Sequence, residues 1–199
     1  MNMTERVKLW LLKYAGELRV DDIDTYLGMA RNFEKAKNDE MDITLKEIAD
    51  DPSLTEEEKD EYRWHIEGMY DDAGGAVDIA YSMAIVTLYS RVEVARKKIV
   101  KCVFSDLKEK KLSDMRYINS DVLPLLPEVA ETSSLTELRL INNSIKHTDS
   151  KVSKELSRLS GYVEGDLLRA LNNTYTRLLP DAVHYISKLS DAAKKHVGS

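Results

Sequence analysis

Residues 135–147 read LTELRLINNSIKH, with serine, threonine and aspartate residues on both sides, and this segment decides the fold prediction. At about 100° per residue on a helix, its apolar side chains fall on one face: Leu138, Ile141 and Ile145. A polar stripe lies on roughly the opposite side: Arg139, Asn143 and His147. The segment therefore predicts an amphipathic helix whose guanidinium, amide and imidazole groups could together bind a phosphate and move a proton.

The composition favours helix in the rest of the chain as well. Of 199 residues, 43% are hydrophobic and 32% are charged, which is typical of a folded chain and not of a disordered one. Only eight glycines and four prolines occur, and no segment alternates apolar and polar residues with a period of two. We therefore predict an all-α fold, a single-domain helical bundle.

Helix signals and breaks predict the organisation along the chain. Ser53 and Glu56 resemble a capping box that starts a helix, and Pro180 is suited to the first position of the last one. The pair Gly74 and Gly75 predicts the main interior break. We therefore predict that residues 1–72 form N-terminal helices that pack on a helical bundle of residues 73–199, in one compact unit.

The charge and the cysteine content limit the function classes. The net charge is −6, so attraction to nucleic acid would have to come from a local basic patch. The single Cys102 cannot form an internal disulfide, and the scattered histidines do not predict a metal site. Neither a signal peptide nor an apolar run of about 18 residues is visible. We expect a cytoplasmic protein with no membrane contact, no metal and no cofactor.

Residues 142–147, NNSIKH, resemble the signature helix of the HEPN superfamily, all-α domains found in RNA-cutting toxins and defence proteins. The family motif is Arg-x(4–6)-His, often with an asparagine directly after the arginine. Asn143, Ile145 and His147 match this pattern, whereas Asn142 stands in the place of the arginine. The nearest upstream arginine is Arg139, and seven residues lie between it and His147. The resemblance implies a HEPN-like bundle with an N-terminal helical extension.

The resemblance also implies a metal-independent endoribonuclease in a toxin or antiviral defence system. Such a reaction needs a base for the 2′-hydroxyl, an acid for the leaving oxygen, and positive charge near the phosphate. The predicted catalytic residues are His147 as base or acid, Arg139 for charge, and Asn143 as hydrogen-bond donor. Lys146 and Asn142 are predicted to bind the RNA.

Two other interpretations stay open. The chain could be a catalytically silent HEPN-like module that binds RNA or a partner protein. It could also be an unrelated helical adaptor, in which His147 and Lys146 only interact with the negative end of their helix. On the central helix, Tyr89 and Arg96 could line a nucleic-acid cleft, although tyrosine at helical spacing is more often found in a core.

The family resemblance further implies partners. HEPN domains usually form dimers in which two signature helices face each other across a cleft, so we expect a homodimer. Leu140, apolar on the otherwise polar side of the helix, would suit such a contact. An antitoxin or another protein of a defence system is a second expected partner.

Overall fold

The computed structural model describes residues 3–198, apart from the side chains of residues 3, 109 and 110. It confirms the all-α prediction: over these residues the chain forms helices, turns and a single antiparallel bridge between Lys151 and Leu167, with no strand. The helices are α1 (Met3–Ala15), α2 (Asp21–Asp50), α3 (Glu56–Val103), the one-turn α4 (Met115–Tyr117), α5 (Ser133–His147) and α6 (Leu171–Gly198). None of these described helices combines the length and apolar character needed to cross a bilayer.

The chain folds as two compact units. Residues 21–84 form one, and residues 1–20 together with 85–199 form the other. The boundaries between the units, after residues 20 and 84, do not coincide with the predicted boundary after residue 72, which depended on a break at Gly74 and Gly75. Both glycines lie inside α3, which continues through them without interruption. An interior glycine costs a helix only about 1 kcal/mol relative to alanine, and the burial of neighbouring Ala73 helps to offset that cost.

The unit of residues 21–84 consists of α2 and the first part of α3, joined by a tight turn. Its core contains Met41, Ile66 and Ala73. The capping box at the start of α3 lies two residues later than predicted, because the Ser53 N–H donates to Asp51 Oδ1 at 2.8 Å. Thr55 caps the helix instead: its N–H donates to Glu58 Oε2 at 2.8 Å, and the Glu58 N–H donates back to Thr55 Oγ1 at 3.3 Å.

In the other unit, α1 packs against α6 along a tight contact. Leu12 of α1 is fully buried, and its carbonyl oxygen accepts a hydrogen bond from Ser190 Oγ of α6 at 2.7 Å. Gly16 makes this approach feasible, because a Cβ at that position would lie 2.5 Å from the Cβ and Oγ of Ser190. The contact joins the first and the last described helices of the chain.

The prediction that the last helix begins at Pro180 is wrong, since α6 begins at Leu171 and contains the proline in its interior. Proline removes one backbone hydrogen bond and its ring crowds the preceding turn. A buried stripe runs along α6 on both sides of Pro180, from Leu171 and Tyr175 to Ile186 and Ala193. Burial of this stripe offsets the local cost and keeps both segments in one helix.

Candidate functional site

The predicted signature helix is α5, and its apolar face packs as expected. Thr132 caps it, with Oγ1 accepting from the Leu135 N–H at 3.3 Å. Leu138 and Ile141 are fully buried, and α5 packs against α6 and the 3-10 turn Leu156–Arg158. This packing fixes the rotation of α5 and therefore the direction of its polar side.

The polar side of α5 lines a cleft of about 790 Å³. All five site residues predicted from the sequence line this cleft: Arg139, Asn142, Asn143, Lys146 and His147. Tyr89 and Glu93 of α3 lie across from them, and the segments around residues 113–119 and 155–159 complete the walls. The structure therefore brings the predicted residues together, while their roles stay predictions.

Two further arginines of the cleft were not assigned from the sequence. Arg116 lies in the short helix α4, and Arg158 lies in the turn after α5. Both are distant from the signature helix in the chain and belong to segments without a clear apolar period, so no sequence signal places them at the site.

Most of the acidic residues of the cleft are engaged within the protein. Glu93 pairs with Lys97 at 2.8 Å. Although burial opposes its ionisation, hydrogen bonds from Lys97 and Ser113 hold the pKa of Glu93 below its usual value. Asp114 accepts from the backbone N–H of Arg116 at 2.9 Å, and Glu131 accepts from Asn119 Nδ2 at 2.7 Å. Glu155 is the fourth acid and is exposed.

The cleft lining also contains four cationic residues. With the side chains that the structure describes, which exclude those of residues 109 and 110, no ion pair is formed by any of the four: Arg116, Arg139, Lys146 and Arg158. Lys146, Arg116 and Arg158 are exposed, so their side chains can reach a ligand in the cleft. The cleft lining thus carries as many cationic as acidic side chains, and exposed cations from three segments of the chain are open to an anionic ligand.

Asn142, one of the two residues predicted to bind RNA, is 2% exposed. Its Nδ2 donates to Asn143 Oδ1 at 3.1 Å, and its Oδ1 has no hydrogen-bond partner in the described part of the chain. Leu140 is also buried, at 5% exposure. The expectation that Leu140 is available for a dimer contact is therefore wrong, because this side chain is covered by its own protomer.

His147 is the last residue of α5 and is exposed. The helix ends directly after it, where the backbone N–H of Thr148 donates to the Ser144 carbonyl at 3.1 Å. The imidazole thus lies at the negative end of the helix and at the cleft together with Lys146. This position is compatible both with a role in proton transfer and with a solvated helix end.

The cleft can hold an anion against several cations and present one imidazole to it. Among residues 3–198, no group of three or more histidine, cysteine, aspartate or glutamate side chains is arranged to hold a metal ion. Any functional conclusion has to come from the residues of the cleft, since no family model, no curated protein and no solved structure matches this chain.

Proposed function

We propose that this protein binds RNA in the α5 cleft and cleaves it as a HEPN-like, metal-independent endoribonuclease of a toxin or antiviral defence system. The observation that carries the proposal is the set of side chains that the cleft brings together. Four cationic side chains, three of them exposed, line it and form no ion pair with a described side chain. The same cleft contains His147.

The cations supply the binding step. Exposed lysine and arginine side chains bind phosphate oxygens, and arginine can do so with two parallel hydrogen bonds. Arg116, Lys146 and Arg158 come from three different segments around the cleft, so a strand lying in the cleft would meet cations from more than one segment. Because such binding releases counterions, it should weaken steeply with salt.

His147 supplies the proton transfer. As a base, it takes the proton of the ribose 2′-hydroxyl, whose oxygen forms a bond to the adjacent phosphorus while the bond to the 5′-oxygen breaks. The departing 5′-oxygen takes a proton from an acid, which in the homodimer implied by the family resemblance would be His147 of the second copy. Arg139 stabilises the charge that develops on the phosphoryl oxygens.

A silent RNA-binding module is the second candidate, and one observation favours it. The family's arginine is replaced by the buried Asn142, and the Nε of Arg139 is itself buried without a hydrogen-bond partner in the described residues. Arg139 is thus less accessible to a phosphate than Lys146. Such a module would keep the salt-dependent binding and lack the cleavage.

The test is incubation of the purified protein with mixed cellular RNA at neutral pH, with and without EDTA. We expect cleavage in both conditions. His147→Ala should reduce the rate by about 10²-fold or more, with unchanged helicity, because an exposed imidazole contributes little to folding. Arg139→Ala should also slow cleavage strongly. His184→Ala removes an exposed histidine of α6 outside the cleft and should have no effect.

The outcomes separate the candidates. Cleavage that persists at the wild-type rate in His147→Ala would refute the catalytic assignment. Salt-sensitive RNA binding without cleavage, weakened by Lys146→Ala and Arg158→Gln, would favour the silent module. If the protein neither bound nor cut RNA, both candidates would be wrong, and the unrelated adaptor would be the better interpretation.

A further inference from the structure

A small cavity adjoins the cleft, within the unit that contains α5. It measures about 10 Å³, which is room for about one particle the size of a water molecule. Three helices contribute its polar side chains: Arg96 from α3, Arg139 from α5 and Tyr185 from α6. Tyr89 and Glu131 line both this cavity and the larger cleft.

The polar residues that line this cavity have hydrogen-bond donors without partners. Arg96 is 3% exposed; its Nη1 lies 2.8 Å from Met115 Sδ, and its guanidinium is close enough to the hydroxyls of Tyr89 and Tyr185 to lower the pKa of both, against the effect of their burial. The Arg96 Nε and Nη2, the Arg139 Nε and the Tyr185 hydroxyl are all buried and meet no partner at hydrogen-bonding geometry in residues 3–198. Buried polar groups in folded proteins nearly always have a protein or solvent partner, so these four atoms on three residues mark the cavity as a place where a small acceptor can bind.

The chemistry of these four atoms specifies the ligand. The guanidinium nitrogens can only donate hydrogen bonds. Burial raises the pKa of Tyr185, against the opposing effect of nearby Arg96, so its hydroxyl is protonated at neutral pH and can donate as well. A group that accepts hydrogen bonds from all sides and carries negative charge fits this arrangement.

The buried guanidinium of Arg96 has no ion pair with a described carboxylate: Glu93, whose pKa it helps to lower, is paired with Lys97. Glu131 is the one acidic residue that lines the cavity in the described part of the chain, and its carboxylate accepts from Asn119 Nδ2. It forms no ion pair with Arg96 or Arg139 within residues 3–198. A buried charge without a counter-ion is strongly unfavourable, so a bound anion would remove a large penalty.

We propose that this cavity binds one monatomic anion of the chloride class, held by Arg96, Arg139 and Tyr185. The cavity is small, so a monatomic anion suits it better than phosphate or another polyatomic anion. The bound anion would hold Arg139 in place beside the cleft. The cavity shares Arg139 with the cleft, but the inference does not depend on the proposed ribonuclease activity, since anion binding can be detected without any cleavage of RNA.

The test is thermal unfolding of the full chain in sodium chloride and in sodium gluconate at equal ionic strength. Chloride should raise the midpoint by about 3 to 6 °C once it exceeds its dissociation constant tenfold, and the midpoint should keep rising with the logarithm of the chloride concentration. Bromide should replace chloride. Arg96→Met should lose the chloride dependence, whereas Arg169→Met, which removes an exposed arginine elsewhere in the unit, should keep it.

Crystals of the wild-type protein grown in bromide provide a readout that needs no variant. An anomalous peak between Arg96 and Arg139 would support the proposal even if Arg96→Met did not fold, and the absence of a peak would overturn it. The same chloride dependence in wild type and Arg96→Met would also overturn it. A third result would also overturn it: no effect of chloride on the midpoint of the wild type, together with a strongly lowered midpoint in Glu131→Gln. Glu131 would then be the counter-ion.

Discussion

Replacement of Arg177 by methionine should destabilise the protein measurably at neutral pH. Glu137 of α5 accepts two hydrogen bonds from Arg177 of α6, at 2.8 Å from Nη1 to Oε2 and 2.6 Å from Nη2 to Oε1. The Tyr162 hydroxyl donates a third to Oε1 at 2.5 Å. These bonds join α6 and the loop at Tyr162 to the helix that lines the cleft. In Arg177→Met the carboxylate of Glu137 would keep only the hydrogen bond from the Tyr162 hydroxyl.

The magnitude follows from the exposure of the two partners. The side chain of Glu137 is 14% exposed and that of Arg177 is 54% exposed. Hydrogen bonds to a charged group contribute about 1.5–3 kcal/mol when buried, whereas solvent-exposed ion pairs contribute about 0–1 kcal/mol. For a bidentate pair with one partner half exposed, we expect a loss of about 2 kcal/mol. This corresponds to a fall in the thermal midpoint of roughly 4–8 °C.

The effect should depend on pH in one direction. The hydrogen bonds from Arg177, helped by Tyr162 and opposed by burial, hold the pKa of Glu137 below its usual value of 4.5. A carboxylate with a lowered pKa contributes stability that is complete above the unfolded value and is lost as the pH falls through the folded value. The difference between wild type and Arg177→Met should therefore be largest at neutral pH and narrow in acid.

The assay is urea denaturation at about pH 7 and about pH 3.5, followed by circular dichroism. Arg169→Met is the matched control, since it removes an exposed arginine that has no ion pair in residues 3–198. The reasoning is refuted if Arg177→Met costs less than about 0.5 kcal/mol at neutral pH, which is within the range of ordinary surface substitutions. A cost that does not shrink in acid would equally contradict the assigned role of Glu137.

Two glycines should respond oppositely to alanine. Gly16→Ala should cost about 1–3 kcal/mol in thermal unfolding, because the new Cβ would lie 2.5 Å from Ser190, and Ser190→Gly should recover part of the loss. Gly75→Ala should instead raise the urea midpoint, by about 0.5–1 kcal/mol of stability, since the position is helical and nothing lies within 4 Å of its Cβ. Destabilisation by Gly75→Ala would contradict the continuous helix α3.

The periodicity of residues 135–147 correctly predicted which side chains of α5 share a face, because this depends only on local helix geometry. Residues three and four apart share a helix face in any tertiary context, so Leu138 and Ile141 were correctly expected in the core. The same geometry placed Arg139, Asn143 and His147 on one side, and the structure places all three at one cleft. Leu140 was expected to be available on the polar side of the helix but is buried, because neighbouring segments cover more of α5 than its most apolar face.

The sequence analysis overestimated how strongly glycine and proline interrupt helices in this chain. Gly74, Gly75 and Pro180 all lie within helices, although each lowers the intrinsic stability of the helix by about 1–3 kcal/mol. Burial of side chains on either side outweighs such costs, and the sequence does not reveal how much burial a segment will gain. The boundaries that depended on these residues were therefore the least predictable.

The remaining members of the site required tertiary information. Arg116 and Arg158 reach the cleft from segments distant in the chain. Arg96 was considered as a cleft residue but is enclosed beside it, where sequence statistics give no reason to expect a charged side chain. Proximity of this kind arises from packing between helices and has no periodic signature.

The contact between α1 and α6 has a consequence for how the protein comes to fold during synthesis. Leu12 and Ser190 are 178 residues apart in the chain, so α1 leaves the ribosome long before its partner exists. Residues 21–84 are synthesised well before α6 and contain their own buried core, so this unit can fold before the other unit is complete. The apolar face of α1 stays exposed to chaperones and to other nascent chains until α6 emerges, and closure of this long loop is expected to be a late and slow step of folding.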